Sequence, residues 1–395
     1  MSDSKAGSRP ATARIWASAL LPLVALLALL LLFFRFGPAG VFRGAFPPVE
    51  ELTITRVTLP ERGVLRVHVV NGGPAPVTVA QVLVDDASWV HTVDGSRTID
   101  RLASREITIP YPWVEGEPVV VRLVTSTGLT IDREVPVAVR TPAPDARYLT
   151  TFALLGLYAG VVPVFIGLLW FPFLRGLSRK WIEFLLSLTA GLLLFLGVDA
   201  LAEAVELSAK VPRAFQGLGL VLLGFVGTPL LLAALGSASR GAKGASPIYV
   251  ATLVALGIGL HNMGEGLAIG ASYATGEIAL GSFLVIGFLL HNTTEGLAIL
   301  APLATERVRL GTLVLLGLLA GVPTIVGAWI GGFTYSPGWT ALFFAIGAGA
   351  IAQVLVVLAR LFQRDAKHGL TSPLNVAGFL AGMMIMYLTG LLVPA

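Results

Sequence analysis

The chain has 395 residues, 55% of them hydrophobic and only 13% charged, and its mean hydropathy is +0.83. A soluble fold cannot bury so much apolar surface, so the composition predicts a protein whose main solvent is a lipid bilayer. The absence of cysteine excludes disulfides, Cys-based zinc sites and thiolate nucleophiles. The net charge of +4 is too small to indicate nucleic-acid binding.

The N-terminal segment is a polar, basic stretch followed by an apolar run. We interpret residues 1–14 as a cytoplasmic tail and residues 15–36 as a transmembrane anchor, because the run is about long enough to cross the hydrocarbon core. A cleaved signal peptide is the alternative, since Ala39 followed by Gly40 resembles a cleavage site.

Residues 48–140 have a different character, with short alternating or β-branched runs separated by turn signals such as Asn71-Gly72-Gly73. About seven short strands predict a small extracytoplasmic β-sandwich, immunoglobulin-like in broad pattern. We place strands at 52–57, 64–70, 77–84, 106–109, 119–124 and 135–139. Trp89 and Trp113 are interpreted as packing residues. The sequence indicates no particular partner for this domain.

One polar stretch of the β-domain contains Asp85, Asp86, His91 and Asp94. These side chains are of the types that bind metals, so a metal-capturing loop is one interpretation. A solvated turn is the interpretation we favour.

Residues 148–395 form a predicted core of eight hydrophobic spans. We place them near 149–174, 181–206, 213–235, 247–274, 278–304, 309–333, 339–362 and 373–394. Together with the anchor and the β-sandwich, they predict a polytopic α-helical membrane protein.

Basic residues cluster in alternate connections, which the positive-inside rule makes cytoplasmic. This orientation predicts that the N-terminus is cytoplasmic and that the β-domain and the C-terminus are extracytoplasmic. Lys210 and Arg213 are the main exceptions. The clustered residues are Lys5, Arg9, Arg14, Arg175, Arg179, Lys180, Arg240, Lys243, Arg307, Arg309, Arg360, Arg364 and Lys367.

Two of the five histidines occur in a repeated motif inside apolar spans. The sequence LHNMGEGLAI in the fourth span is followed thirty positions later by LHNTTEGLAI in the fifth, which differs at two positions. Each copy places a His and a Glu at i, i+4 on one helix face, with an Asn about 100° around the helix. Imidazole, carboxylate and amide oxygen suit zinc, ferrous iron, manganese, cobalt or cadmium. The candidate ligands are His261, Asn262, Glu265, His291, Asn292 and Glu295.

The short connection between the two spans predicts an antiparallel hairpin, for which two registers are open. A centre near Ile278 makes Glu265 level with His291, whereas a centre near Gly276 makes the two histidines level. Gly266 and Gly296 directly follow the two glutamates, and we expect them to let the ligand faces of the two helices approach. Buried structural polar contacts are the alternative interpretation, but two registered His–Glu pairs without a nearby Lys or Arg favour metal binding.

The HNxxEG motif in both central helices of an eight-span core resembles the ZIP (Zrt/Irt-like) family of divalent metal transporters. The resemblance covers about residues 149–395 and leaves out the anchor and the β-domain. It implies that the six motif residues are transport-site ligands, that metal moves toward the cytoplasm, and that the protein forms a homodimer. In this family the second core helix often carries His-x-x-Pro-Glu; here Asp199 and Glu203 keep that spacing as candidate pathway residues.

Several family features are missing from this chain. The sixth core helix often carries Glu-Pro, which helps to hold a second metal, but here it has Val322-Pro323. A two-metal site is therefore an open question. The loop at 236–246 contains no histidine, which argues against a metal-sensing loop. Gln353 in the seventh core helix is interpreted as either a weak pathway ligand or an interhelical hydrogen-bonding group.

The sequence thus predicts a transporter of divalent transition metals, most of all zinc, in a plasma or bacterial inner membrane. The metal is its substrate, and no cofactor and no enzymatic activity are expected. Two alternatives use the same residues: a membrane-embedded metalloenzyme, against which the lack of His-Glu-x-x-His counts, and a metal sensor whose β-domain binds a partner.

Overall fold

A computed structural model describes residues 20–32, 49–239, 246–365, 369 and 371–391. Residues up to Val49 form a unit of their own, within which helix α1 runs over Leu20–Leu32 and exposes its leucines. The rest of the predicted anchor, at 15–19 and 33–36, and the tail at 1–14 lie outside the described residues, as do Arg240, Lys243 and Lys367.

The predicted β-sandwich is present as two antiparallel sheets with a shared apolar core. One sheet has the strand order β1-β2-β7-β5, and the other has the order β4-β3-β8-β9, with β6 pairing with one end of β3. The strands are β1 Leu52–Glu61, β2 Val64–Asn71, β3 Val77–Val84, β4 Ala87–Ser88, β5 Thr92–Val93, β6 Thr98–Ile99, β7 Ser104–Ile109, β8 Val119–Thr125 and β9 Thr130–Val135.

The strand pattern follows alternating burial, as in β2, where Leu65, Val67 and Val69 face the core. Trp113 is buried in this core, as predicted, and its indole N–H donates to the main-chain carbonyls of Glu61 in β1 and Val64 in β2. The predicted strand at 135–139 is wrong, because Val135 ends β9 and Pro136 has no N–H to continue the ladder.

Eight helical spans in the described residues are long and apolar enough to cross a membrane, and they match the predicted spans closely. The first is continuous through α2 Ala146–Gly156, a π-helical turn at Leu157–Val161, α3 Val162–Leu168 and α4 Phe171–Leu174. The others are α5 Arg179–Ala209, α6 Gly217–Ser239, α7 Pro247–Ala274, α8 Ile278–Leu300, α9 Leu310–Thr334, α10 Pro337–Asp365 and α11 Pro373–Gly390.

Glycines set the closest helix contacts, although not between the two helices that carry the repeat. A Cβ at Gly266 would overlap the carbonyl of Thr324 in α9, and one at Gly296 would overlap the carbonyl of Val164 in α3. The expectation that these glycines bring α7 and α8 together is therefore wrong. They instead allow each motif helix to approach a different neighbour, so four helices converge on the motif.

The β-domain contacts one end of the helical bundle. Arg56 of β1 donates to the carbonyl of Phe333 at the end of α9, 3.2 Å away. Glu51 accepts the main-chain N–H of Arg213, in the α5–α6 connection, at 3.0 Å. Gly276, in the turn between α7 and α8, has φ +85°, and a Cβ there would overlap the carbonyl of Val137. Since the spans alternate in direction, the basic connections at 175–180 and 307–309 lie at the opposite end.

Candidate metal centre

The two motif copies lie on α7 and α8, which form the predicted antiparallel hairpin. All six candidate ligands are buried, with no more than 7% of any residue exposed. His261, Asn262 and Glu265 belong to α7, and His291, Asn292 and Glu295 belong to α8. The structure thus removes two carboxylates and two imidazoles from solvent in the interior of an apolar bundle.

Glu265 is the centre of this cluster. Its Oε1 atom lies 2.5 Å from Nε2 of His291 and 3.2 Å from Nε2 of His261. Its Oε2 atom accepts a hydrogen bond of 2.9 Å from the side-chain amide of Asn292. Glu265 is therefore level with His291, which is the register of a hairpin centred near Ile278.

His261, Glu265 and His291 each offer one potential ligand atom, and these three atoms all lie within 4.8 Å of one another. A search of the described residues for groups of at least three His, Cys, Asp or Glu side chains that could hold a metal ion finds this cluster. Two imidazoles and one carboxylate are a recurrent zinc ligand set. All three side chains are buried, so a bound ion would be separated from bulk water.

The amide nitrogens of the two asparagines donate to main-chain carbonyls of neighbouring helices, and that of Asn292 also donates to Glu265. Asn292 Nδ2 donates to the carbonyl of Ala159 at 2.8 Å, and Asn262 Nδ2 donates to the carbonyl of Ala320 at 3.1 Å. Both Oδ1 atoms are buried and have no hydrogen-bond partner among the residues that the structure describes. An amide oxygen without a donor is a suitable ligand for a hard or borderline cation.

Glu295 completes the motif as a second buried carboxylate. It lies close enough to Glu265 and Asn262 to interact with both, yet neither of its carboxylate oxygens has a well-formed hydrogen bond within the described part of the chain. The charged groups that act on the two glutamates are the motif histidines and each other, with no described Lys or Arg among them. A buried pair of carboxylates without a basic partner is neutralised either by a bound cation or by protonation.

Aromatic rings border both histidines. The ring of Phe344 in α10 lies edge-on to His261, with 6.4 Å between ring centroids, and Phe288 lies edge-on to His291 at 5.4 Å. Gly347 of α10 also approaches the main chain of His261 closely. These contacts make the surroundings of the polar cluster apolar, which strengthens electrostatic interactions inside it.

The other candidate residues lie outside this cluster. Asp199 and Glu203 are exposed on α5, while Gln353 is buried on α10. Val322 is 38% exposed on α9. In the β-domain, Asp85 accepts a 2.5 Å hydrogen bond from Tyr111, and Asp86 pairs with an arginine. The structure thus supports the turn interpretation of that stretch.

Sequence reasoning missed the groups that hold the asparagines, since these groups are main-chain carbonyls of other helices. It also missed Thr324, whose buried hydroxyl has no hydrogen-bond partner among the described residues. Pro163 was the available signal for the Ala159 carbonyl, because a proline inside a helix leaves the carbonyl four residues earlier without its usual donor.

Comparison with protein-family models found no matching family, and comparison with curated proteins found no match. The fold and the cluster define a multi-pass helical membrane protein with a buried His/Glu group that could bind a metal.

Proposed function

We propose that this protein transports divalent transition metal ions across a membrane, with zinc as the first candidate. Iron, manganese, cobalt and cadmium are the other candidates. The observation that carries the proposal is the buried contact of Glu265 with two histidines. His261 lies on the same helix as Glu265, and His291 lies on the neighbouring helix. A site of this kind, formed where paired helices meet inside the bundle, is typical of transporters.

The energetic cost of the cluster supports a functional role. A charged side chain at mid-bilayer costs about 2.5–3.5 kcal/mol on insertion scales. The motif buries Glu265 and Glu295 without a described Lys or Arg among the groups that act on them. In a purely structural role the pair would have to be neutralised by protonation, whereas a divalent cation compensates both charges.

The resemblance of the paired HNxxEG motifs to the ZIP family supports the same proposal and adds a direction, toward the cytoplasm. We further propose a plasma or bacterial inner membrane location, with the β-domain extracytoplasmic, and a homodimer. In the one-metal arrangement that we favour, His261, Glu265 and His291 hold the ion, and the amide oxygens and Glu295 complete its shell. Val322 supplies no ligand for a second ion.

The decisive experiment is zinc uptake by proteoliposomes that contain the purified protein. Glu265→Gln keeps the shape of the side chain but removes the charge that faces both histidines, so we expect uptake and zinc binding to be lost. Glu206→Gln is the matched control, because Glu206 is exposed on α5 and lies outside the cluster. Manganese and ferrous iron added as competitors rank the preference of the site.

Uptake by Glu265→Gln at the wild-type rate would refute transport through this site. Stoichiometric zinc binding by the wild type without uptake of any metal would instead support a sensor. Metal-dependent turnover of a peptide or lipid without ion flux would support an enzyme.

A further inference from the structure

The side-chain amide of Asn292 is held from two directions. One N–H donates to the carbonyl of Ala159 in the first span, at 2.8 Å, and the amide nitrogen also donates to Glu265, at 2.9 Å. An amide group has two N–H bonds, so both are used. The Oδ1 atom is then the remaining polar atom, and it has no hydrogen-bond partner among the described residues.

The carbonyl of Ala159 lies four residues before Pro163, within a π-helical turn. In an α-helix the N–H of residue 163 would donate to the carbonyl four residues earlier, which belongs to Ala159. Proline has no N–H, and its ring also crowds that carbonyl. The helix widens here into the π-helical turn Leu157–Val161, which contains Ala159. Turns of this kind occur frequently at functional sites.

Close packing brings this carbonyl within reach of α8. A Cβ at Gly167 would overlap the carbonyl of Thr293, the residue after Asn292, and one at Gly296 would overlap the carbonyl of Val164. The two glycines thus allow main chain to meet main chain next to the asparagine. The first span can therefore supply a hydrogen-bond acceptor without placing a polar side chain in the bundle.

Two other prolines inside helices show that a free carbonyl alone does not produce this arrangement. The carbonyl four residues before Pro323 belongs to Leu319 and approaches Gly259. The carbonyl four residues before Pro229 belongs to Phe225 and approaches Gly349. Among these three prolines, Pro163 is the one whose freed carbonyl accepts a motif side chain.

We propose that Pro163 is a positioning residue for the metal centre. By leaving the Ala159 carbonyl without a main-chain donor, it fixes the nitrogen of the Asn292 amide and so presents the oxygen to the ion. The inference rests on the proposed function for the identity of the ligand. The orientation of the amide itself can be tested without metal.

The first test is a double-mutant cycle on zinc affinity, measured on the full-length protein in detergent. Pro163→Ala supplies an N–H that competes for the Ala159 carbonyl, and we expect zinc affinity to fall about 10-fold, as for other outer-shell partners of metal ligands. In an Asn292→Ala background, Pro163→Ala should change affinity little, because no amide remains to be oriented. Pro229→Ala, which alters a proline of α6 outside the site, is the control and should leave affinity unchanged.

An equal loss of affinity from Pro163→Ala in both backgrounds would overturn the proposal, since it would show a general structural effect. Unchanged affinity in the wild-type background would overturn it as well.

The second test needs no metal. The chain has four asparagines, Asn71, Asn262, Asn292 and Asn375, so selective ¹⁵N-asparagine labelling gives a simple side-chain amide spectrum. The signal lost in Asn292→Ala identifies the group. We expect its protons to exchange slowly with solvent in the wild type and faster in Pro163→Ala, with the Asn71 signal as an internal control.

Unaltered exchange at Asn292 in Pro163→Ala would overturn the positioning role. If the wild type binds no metal while this amide still responds to Pro163→Ala, the proposed function fails and the positioning role stands.

Discussion

Substituting Gly266 by alanine tests whether contact between α7 and α9 holds the metal centre together. The added Cβ would overlap the carbonyl oxygen of Thr324 and lie 2.8 Å from its carbon and 2.9 Å from the nitrogen of Ala328. These are main-chain atoms of α9, so no side chain can rotate away. The helices must separate, and the hydrogen bond from Asn262 to Ala320 lies in the same interface.

Two opposing effects set the magnitude. Alanine favours the helix over glycine by about 1 kcal/mol, and overpacking a tight contact costs about 1–3 kcal/mol or more. Because the clash is between main chains, we expect the upper part of that range to apply. The free energy of unfolding should then fall by ~2 kcal/mol. Gly227→Ala in α6 is the control, since within the described part of the chain no atom outside the local helix main chain lies within 4 Å of its Cβ position, and only the favourable helix effect remains.

The assay is equilibrium unfolding of both variants in one detergent, followed by far-ultraviolet circular dichroism, with zinc affinity measured in parallel. We expect Gly266→Ala to be less stable than wild type and to bind zinc more weakly. We expect Gly227→Ala to be at least as stable as wild type, with unchanged affinity. If both variants are equally stable, the packing of α7 on α9 does not limit stability, and this reasoning is refuted.

Two further predictions concern pH. The short hydrogen bond to Asp85 raises the pKa of Tyr111 to about 12, so a difference titration between the wild type and Tyr111→Phe should show tyrosinate absorbance near pH 12. The raised pKa means that this contact stabilises the fold fully below about pH 10 and that the contribution is lost as pH rises toward 12. Zinc affinity should fall as the pH is lowered, because protons compete with the metal for imidazole and carboxylate ligands; unchanged affinity in acid would exclude the histidines as ligands.

The sequence was sufficient for features that depend on local pattern. Long apolar runs separated by basic or turn residues define the eight spans, since a helix needs about 20 residues to cross the hydrocarbon core. The repeat identified the buried cluster because i, i+4 spacing fixes which side chains share a helix face. The length of the hairpin turn left two registers, and the contact between Glu265 and His291 selects one.

Features that depend on which helices become neighbours could not be predicted from local sequence pattern. A glycine shows that something approaches closely but not what approaches, so Gly266 was assigned to the wrong neighbour. The main-chain carbonyl that accepts a hydrogen bond from Asn292 has no signature of its own in the sequence, apart from a proline four residues away. Strand β9 was missed because it is an edge strand that exposes Asp132, Arg133 and Glu134 and so lacks an apolar alternation.

The contacts between the β-domain and the helical bundle affect how the activity of a protein that lacks this domain must be interpreted. Removing residues 49–140 would leave the carbonyl of Phe333 without its arginine donor and the N–H of Arg213 without its carboxylate, and would uncover Gly276, in the turn that joins the two motif helices. Loss of uptake on deletion would therefore not establish that the domain captures metal or recruits a partner. Substitutions confined to the surface of the domain away from the bundle separate those roles from mechanical support of the hairpin.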